Sequence, residues 1–481
     1  MHRMLVSAAH KSSGKTTISV GLCAAFRDRG LAVQPFKKGP DYIDPLWLSQ
    51  ASGHACRNLD LYLMRTDEIE DIFERHGSGM DVSLVEGNKG LYDGLALDGS
   101  NSNAALAKLL GLPVVLVIDA RGMTRGIAPL ILGYQAFDRD IRIAGVILNQ
   151  LGGSRHESKL RAVVEHYTDV PVLGAVHHDP GLFVQERHLG LIPGNEAVES
   201  AAMIAAMGLR MASQVDLERL LELTGGPATL KVTLGTDPEM RSVPNVTFNV
   251  AAPTPVRIAI ARDRAFGFYY ADDLDALEAA GATLVPFDTL ADARLPEVDG
   301  LYIGGGFPEM FAPQLAANAA LREALRRALA AGLPAYAECG GLMYLSRTLT
   351  VAGHAYPMVG AIPGDVVMNE RPVGRGYVHL CERMGHPWPR PRSPAQEIRA
   401  HEFHYSSLDN LPADAQFAFE VKRGHGIDGR HDGILVNNLL ASYTHLRTIG
   451  SCYWATRFVA FVRQHRQHKT GALQETLGAL Q

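Results

Sequence analysis

From Met4 the chain alternates short apolar runs with longer helical patterns. MLVSA is followed by a helical stretch over 16–29 that closes at Gly30, and then by VQPF. Gly30 suits the position just past a helix, where a left-handed residue ends the hydrogen-bond ladder. DVSLVEG, PVVLVID, IAGVILN and PVLGAV continue the scheme. Unbroken apolar strands separated by helices predict a parallel sheet covered on both faces. This pattern sets a first domain at 1–225. Residues 226–254, rich in Pro, Gly and Thr and without sustained helical periodicity, predict a linker. The alternation restarts at VRIAIA and passes AFGFYY, a helix over 272–280, GATLVPF and DGLYIGGG. It then enters a helix over 316–332 in which Leu321, Leu325 and Leu329 recur at i, i+4. That helix stops at Gly332 and Pro334, and AYAE follows as a strand. A second α/β domain is placed at 255–465, with a polar tail at 466–481.

Length and charge narrow the function classes. At 481 residues the chain exceeds one ordinary core, consistent with two large domains. With 46 Lys and Arg against 51 Asp and Glu, the net charge of −5 offers no basic excess for a nucleic acid. The cysteines Cys23, Cys56, Cys339, Cys381 and Cys452 form neither a zinc-type CxxC pair nor a disulfide framework, which predicts a reducing cytoplasm. No apolar run approaches the roughly 18 residues of a membrane span, so a membrane partner is not expected either.

The residues Ala9-His10-Lys11-Ser12-Ser13-Gly14-Lys15-Thr16 match a phosphate-binding loop, except that Ala9 stands for the first glycine. A strand precedes it and a helix follows, so backbone N–H groups and the helix N-terminus point at one place. Gly14, Lys15, Thr16 and Thr17 are the expected ATP-binding residues, with Thr16 also a Mg²⁺ ligand. Partitioning ATPases of the ParA or MinD type carry an extra lysine at the position His10 occupies, which argues against that switch-like reading or a metallochaperone one. FKKGPDYIDP and VEGNKGLYDG put Lys37, Asp41, Asp44, Glu86 and Asp93 after strands, where open parallel sheets collect ligand residues. Carboxylates there suit Mg²⁺, and a lysine suits a substrate carboxylate.

AECGGLMYLS places Cys339 on a sharp Gly-flanked turn between a strand and a helix. Alone, a cysteine is more often a small buried apolar residue. Here IGGGFPE offers backbone donors for an oxyanion at Gly305 and Gly306, and SYTHL offers His445 as base, which together make a nucleophile set. A nucleotide loop and an activated thiol in one chain point to ATP-driven amidation with glutamine as nitrogen donor.

HKSSGKTT, FKKGPDYIDP, VEGNKGLYDG, ILNQLGG and RHLGLIP, followed by IGGGFPE, AECGGL, HEFHYSS and ASYTHLR, resemble the cobyrinate a,c-diamide synthase family. The resemblance implies a dethiobiotin-synthetase-like parallel-sheet ATP-binding domain plus a flavodoxin-like class I glutamine amidotransferase domain. It implies that ATP and Mg²⁺ activate the a and c acetates of a tetrapyrrole, cobyrinate or hydrogenobyrinate, as acyl phosphates. Sirohaem and nickel-sirohydrochlorin are alternative substrates. It further implies that Glu86 binds metal, that Asp41, Asp44 and Asp93 surround substrate and acyl phosphate, and that Asn149 reads adenine. A homodimer is compatible with it. Lys38 and Asn88-Lys89 depart from the family pattern and predict extra cations at the substrate mouth. Arg447 stands two residues after His445, where the third triad member is expected, leaving a Cys339–His445 dyad oriented by a residue the sequence does not identify. His401, Glu402 and His404 are open between substrate orientation and packing.

Overall fold

Met4, Leu5, Val6, Leu84, Val85 and the run Val114 to Val117 are all fully buried, as strands sandwiched between helices must be. The computed structural model describes residues 1–179, 186–187, 190–191, 193–194, 200–226, 255–390, 397–449 and 452–478. The chain forms two compact units, Met1–Arg241 and Ser242–Gln481. Apart from Gly226 the predicted linker lies outside the described residues, as do His188, Leu189 and Ile192 of RHLGLIP.

The first unit begins β1 (His2–Ala8), α1 (Lys15–Asp28), β2 (Val33–Lys38), α2 (Ile43–Ser52), β3 (Arg57–Leu59), α3 (Thr66–Gly77) and β4 (Val82–Glu86). It continues α4 (Asn103–Leu110), β5 (Val114–Asp119), α5 (Ile127–Phe137), β6 (Ile143–Leu151), α6 (Ser154–Tyr167), β7 (Val172–His177) and α7 (Ser200–Gln214). Among the described residues the seven strands run parallel in the order β3-β2-β4-β1-β5-β6-β7. Register pairs Lys37 of β2 with Glu86 of β4, and Glu86 with Val6 of β1, so the ends of three strands converge beside the phosphate loop. α7 lies against α1 at Gly21, where a Cβ would sit 2.8 Å from the Met207 carbonyl oxygen.

The second unit is built on Val256–Ala261, Ala282–Phe287, Gly300–Ile303, Ala335–Glu338 and Leu439–Ser442. Numbered along the chain these parallel strands lie in the order 2-1-3-4-5, the flavodoxin-like arrangement. Four antiparallel strands, His431–Val436, Gln416–Arg423, Gly374–Glu382 and Ile398–His404, extend the same sheet. Alternation along Ala335–Glu338 sends Ala335 and Ala337 to one core and Tyr336 to another. The Tyr336 side also holds Trp388, Trp454 and Phe458. Leu321, Leu325 and Leu329 are buried as their spacing requires, each worth about 1.5–3 kcal/mol.

Two local expectations change. The helix expected over 316–332 is split into Ala312–Ala317 and Ala319–Ala330. Asn318 leaves helical geometry (φ −78°, ψ 63°), accepts from the Leu321 amide and donates to the Thr289 and Asp292 carbonyls. The apolar run GILVNNLL, for which the sequence pattern sets no element, is a hairpin turned at Asn437 with φ 54°. The last helix, Trp454–Gly478, continues into the segment read as a polar tail. Among the described residues no helix is long and apolar enough to cross a membrane.

Candidate active sites

The phosphate loop follows β1 and is held by two left-handed residues, Ser12 (φ 62°) and Gly14 (φ 86°). Gly14 is required on space as well: a Cβ there would lie 2.2 Å from Asn149 Nδ2. Asn149, at the end of β6, donates that Nδ2 to the Ser13 carbonyl at 2.9 Å. Its amide therefore ties the loop to the sheet, a contact the sequence reading did not foresee. Lys15 and Thr16 open α1, and Thr17 stands in the same first turn. Burial, reinforced by the nearby Lys37 charge, lowers Lys15 to about 8.

Around Thr16 the predicted residues converge. Its hydroxyl donates to Glu86 Oε1 at 2.8 Å and to Asp44 Oδ2 at 3.3 Å. Lys37 Nζ reaches Asp44 Oδ2 at 2.5 Å, Glu86 Oε1 at 3.1 Å and Asp41 Oδ2 at 3.7 Å. Burial works against the Lys37 charge, but Asp44, Glu86 and Asp41 more than offset it and hold its pKa well above the usual lysine range. Burial raises Glu86 to about 7, with Lys37 opposing and Asp44 adding to the rise. The other Glu86 oxygen, Oε2, is buried without a hydrogen-bond partner among the described residues. Hard oxygens from Thr16, Asp44 and Glu86, one of them unsatisfied, form a donor set that fits Mg²⁺.

Other residues of this set have local duties. Asp41 Oδ1 accepts the amides of Ile43 and Asp44 and so starts α2. Asp93 Oδ2 accepts the Gly90 amide at 2.9 Å and shapes the GLYDG turn. Lys38, expected as a cation at the substrate mouth, is instead buried: its Nζ donates to the Asn101 carbonyl at 2.7 Å and to Asn88 Oδ1 at 3.2 Å. Lys89 is exposed, with φ 43°.

In the second unit Cys339 sits between the strand Ala335–Glu338 and the helix Gly340–Leu345 with φ 48° and ψ −101°. Such a backbone costs about 1–3 kcal/mol in a non-glycine residue and resembles the strained elbows on which nucleophiles are projected. The following glycines make it possible. A Cβ on Gly341 would lie 2.3 Å from the Ile303 carbonyl oxygen, and one on Gly340 would lie 3.0 Å from the Gly306 amide nitrogen. Gly341→Ala is expected to destabilise the unit by about 1–3 kcal/mol, because backbone rather than a flexible side chain must move; a denaturant midpoint equal to the parent's would refute this.

His445 follows the neighbouring strand, where Glu338 pairs in register with Ser442. It is hydrogen-bonded to Cys339, and Gly305 lies against its ring, leaving only 2.7 Å between a Cβ and Cε1. The acidic partner of His445 that the sequence reading lacks stands at Glu338. His445 Nδ1 donates to Glu338 Oε2 at 3.3 Å, while Glu338 also accepts from Tyr336 Oη (2.5 Å), Tyr302 Oη (3.2 Å) and the Leu446 amide (2.9 Å). Burial disfavours a charged His445, yet the hydrogen bonds to Cys339 and Glu338 prevail and raise it to about 10.

Arg447 turns away from this site. Its guanidinium lies 4.4 Å from the Tyr270 ring centroid and donates to Asp272 at 3.2 Å. His401 exchanges backbone hydrogen bonds with His445 and stacks near it, rings 6.2 Å apart. Burial, with the His445 charge, lowers His401 to about 3, so it is a neutral wall. Glu402 accepts the amides of His425 and Gly426, and His404 stacks on Tyr443 at 3.9 Å. Asp432 accepts the amides of Tyr443 and Thr444 and fixes the turn that delivers His445.

A nucleotide-type loop and a cysteine–histidine–glutamate set in one polypeptide define a glutamine-dependent amide ligase. Residues 5–192 match the CobQ/CobB/MinD/ParA nucleotide binding domain, and residues 257–451 match the CobB/CobQ-like glutamine amidotransferase domain. The chain is 46% identical to the cobyrinate a,c-diamide synthase of Magnetococcus marinus, over 96% of this chain and 97% of that protein. It is 43% identical to that of Methanosarcina acetivorans, over 93% and 92%, and 40% identical to that of Listeria monocytogenes, over 93% and 96%. The chain belongs to the cobyrinate a,c-diamide synthase family.

Proposed function

We propose that this chain amidates the a and c acetate carboxylates of cobyrinate, or its cobalt-free form, using ATP and glutamine. The observation that carries this reading is Cys339 on its strained turn, hydrogen-bonded to a histidine that Glu338 orients, in a chain that also holds the Thr16–Lys37–Asp44–Glu86 cluster.

Cys339 Sγ attacks the side-chain carbonyl of glutamine, the Gly305 and Gly306 amides receive the oxyanion, and His445 gives its proton to the departing ammonia. Water then cleaves the thioester and releases glutamate. In the first unit a substrate carboxylate takes the γ-phosphoryl group of ATP, giving an acyl phosphate and ADP. Ammonia displaces phosphate and leaves the amide. Lys15 and the loop amides hold the nucleotide phosphates, and Asn149 keeps the loop in shape. Thr16, Asp44 and Glu86 would hold Mg²⁺, which neutralises phosphate charge when bound. Asp41, Asp93 and Lys37 border the carboxylate being activated.

Incubating the full chain with ATP, Mg²⁺ and glutamine against cobyrinate, sirohaem and nickel-sirohydrochlorin, with products read by mass, tests the substrate. Two amides on cobyrinate, and none on the other two, is the expected result. Amidation of sirohaem alone would overturn the substrate while keeping the chemistry.

A further inference from the structure

Thr16 and Lys37 compete for the same acceptors. The Thr16 hydroxyl and the Lys37 ammonium both point at Glu86 Oε1 and Asp44 Oδ2, and Lys37 Nζ also lies 3.5 Å from the Gly87 carbonyl oxygen. The Lys37 side chain is only 3% exposed, so its partners, rather than water, satisfy it. Glu86 is fully buried, and among the described residues its Oε2 has no donor. Mg²⁺ binds oxygens at about 2.0–2.1 Å and does not share them readily with a second cation. An ammonium seated on the same two oxygens would also repel it strongly at low local dielectric.

We propose that Lys37 is the resident counter-ion of the metal ligands and must give up its seat between Asp44 and Glu86 when a divalent cation binds there. This rests on the reading above that Thr16, Asp44 and Glu86 take the metal. Two consequences follow from the chemistry. Metal alone binds poorly, because it has to displace a cation that already neutralises its ligands, whereas nucleotide phosphates add ligands and give Lys37 a new anionic partner. The freed ammonium, carried on four methylenes from the end of β2, is then delivered to an oxygen of the nucleotide or the carboxylate being activated. Metal entry and placement of the lysine thus become one event.

The test uses Mn²⁺ as the probe, followed by electron paramagnetic resonance and by thermal unfolding on the full chain. Without nucleotide, Lys37→Met should bind Mn²⁺ at least about tenfold more tightly than the parent, and Mn²⁺ should raise its Tm more than the parent's, since the carboxylates then lack any other cation. Lys37→Gln, neutral but able to hydrogen-bond, provides the same comparison if Lys37→Met folds only with Mn²⁺ present, itself a supporting result. Unchanged or weaker Mn²⁺ binding in both variants overturns the exchange. A non-hydrolysable ATP analogue separates the two readings. Parent Mn²⁺ binding that is tight with the analogue and lost in Glu86→Gln upholds the metal site whatever Lys37 does. Retention of that binding in Glu86→Gln removes the site, and the exchange with it.

Discussion

Cys339→Ala is expected to lower glutamine-dependent amidation by at least about 10³-fold, the scale on which loss of a covalent nucleophile is felt. Ammonium-driven amidation by the same variant should stay within about threefold of the parent, because no step in the nucleotide unit uses the thiol. Lys15→Ala should give the complementary result. With the charge that faces the phosphates removed, amidation falls by about 10²-fold or more with either nitrogen source, whereas glutamine hydrolysis by the second unit survives. The pair of variants is diagnostic because each unit has its own strained loop and its own charged cluster. Gly14 and Asn149 hold one, and Gly341 and Ser442 hold the other, whose carbonyl accepts the Cys339 amide at 2.7 Å. Assaying ATP hydrolysis, glutamate release and amide formation in parallel reads all of these at once. Loss of ammonium-driven activity in Cys339→Ala would sink the division of labour.

Much of this architecture is visible in one dimension because it is local. Continuous apolar strands, a glycine-flanked cysteine and a loop ending in Gly-Lys-Thr each depend on a few adjacent residues, and all were legible. What escaped depends on register between strands distant in sequence. Glu338 directly precedes the nucleophile, 107 positions from His445, and reaches the imidazole because Ala335–Glu338 and Leu439–Ser442 are parallel neighbours. Two residues after His445 stands Arg447, whose charge is instead satisfied by Asp272 and Tyr270. Lys37 shows the same limit: the motif announces a cation, but only its pairing with Glu86 reveals a buried lysine among three carboxylates. Lys38 was misplaced for a related reason, since the Asn88 and Asn101 contacts that draw it inward come from a loop 50 to 63 residues away. Asn318 breaks a helix that hydrophobic pattern alone leaves continuous, through side-chain hydrogen bonds.

Glu338→Gln should reduce glutamine-dependent turnover by about 10²–10⁴-fold with little change in the KM for glutamine, by the logic that governs the acid of a nucleophile–histidine–acid set. A carboxylate can only accept, so it fixes the proton on Nδ1 of His445 and leaves Nε2 to face the sulfur. A glutamine amide can donate to Nδ1 and favours the opposite tautomer. The charge matters as well as the geometry. His445 is raised to about 10 by hydrogen bonds to Cys339 and Glu338 acting against burial, so its proton is retained through the neutral range. A folded-state value above the usual histidine value of about 6.5 means that the stabilisation from this proton is complete below that pH. It is lost as pH rises through about 10. Removing the Glu338 charge should move that loss, and the alkaline limb of kcat/KM for glutamine, to lower pH. A residue that merely packs would not do so, which matters because Glu338 also accepts from Tyr302, Tyr336 and the Leu446 amide. Glutaminase pH profiles of parent and variant, with ammonium-driven amidation as the internal control, decide the matter: a lower rate with an unmoved alkaline limb would reduce Glu338 to a packing residue and leave the cysteine and histidine as a dyad.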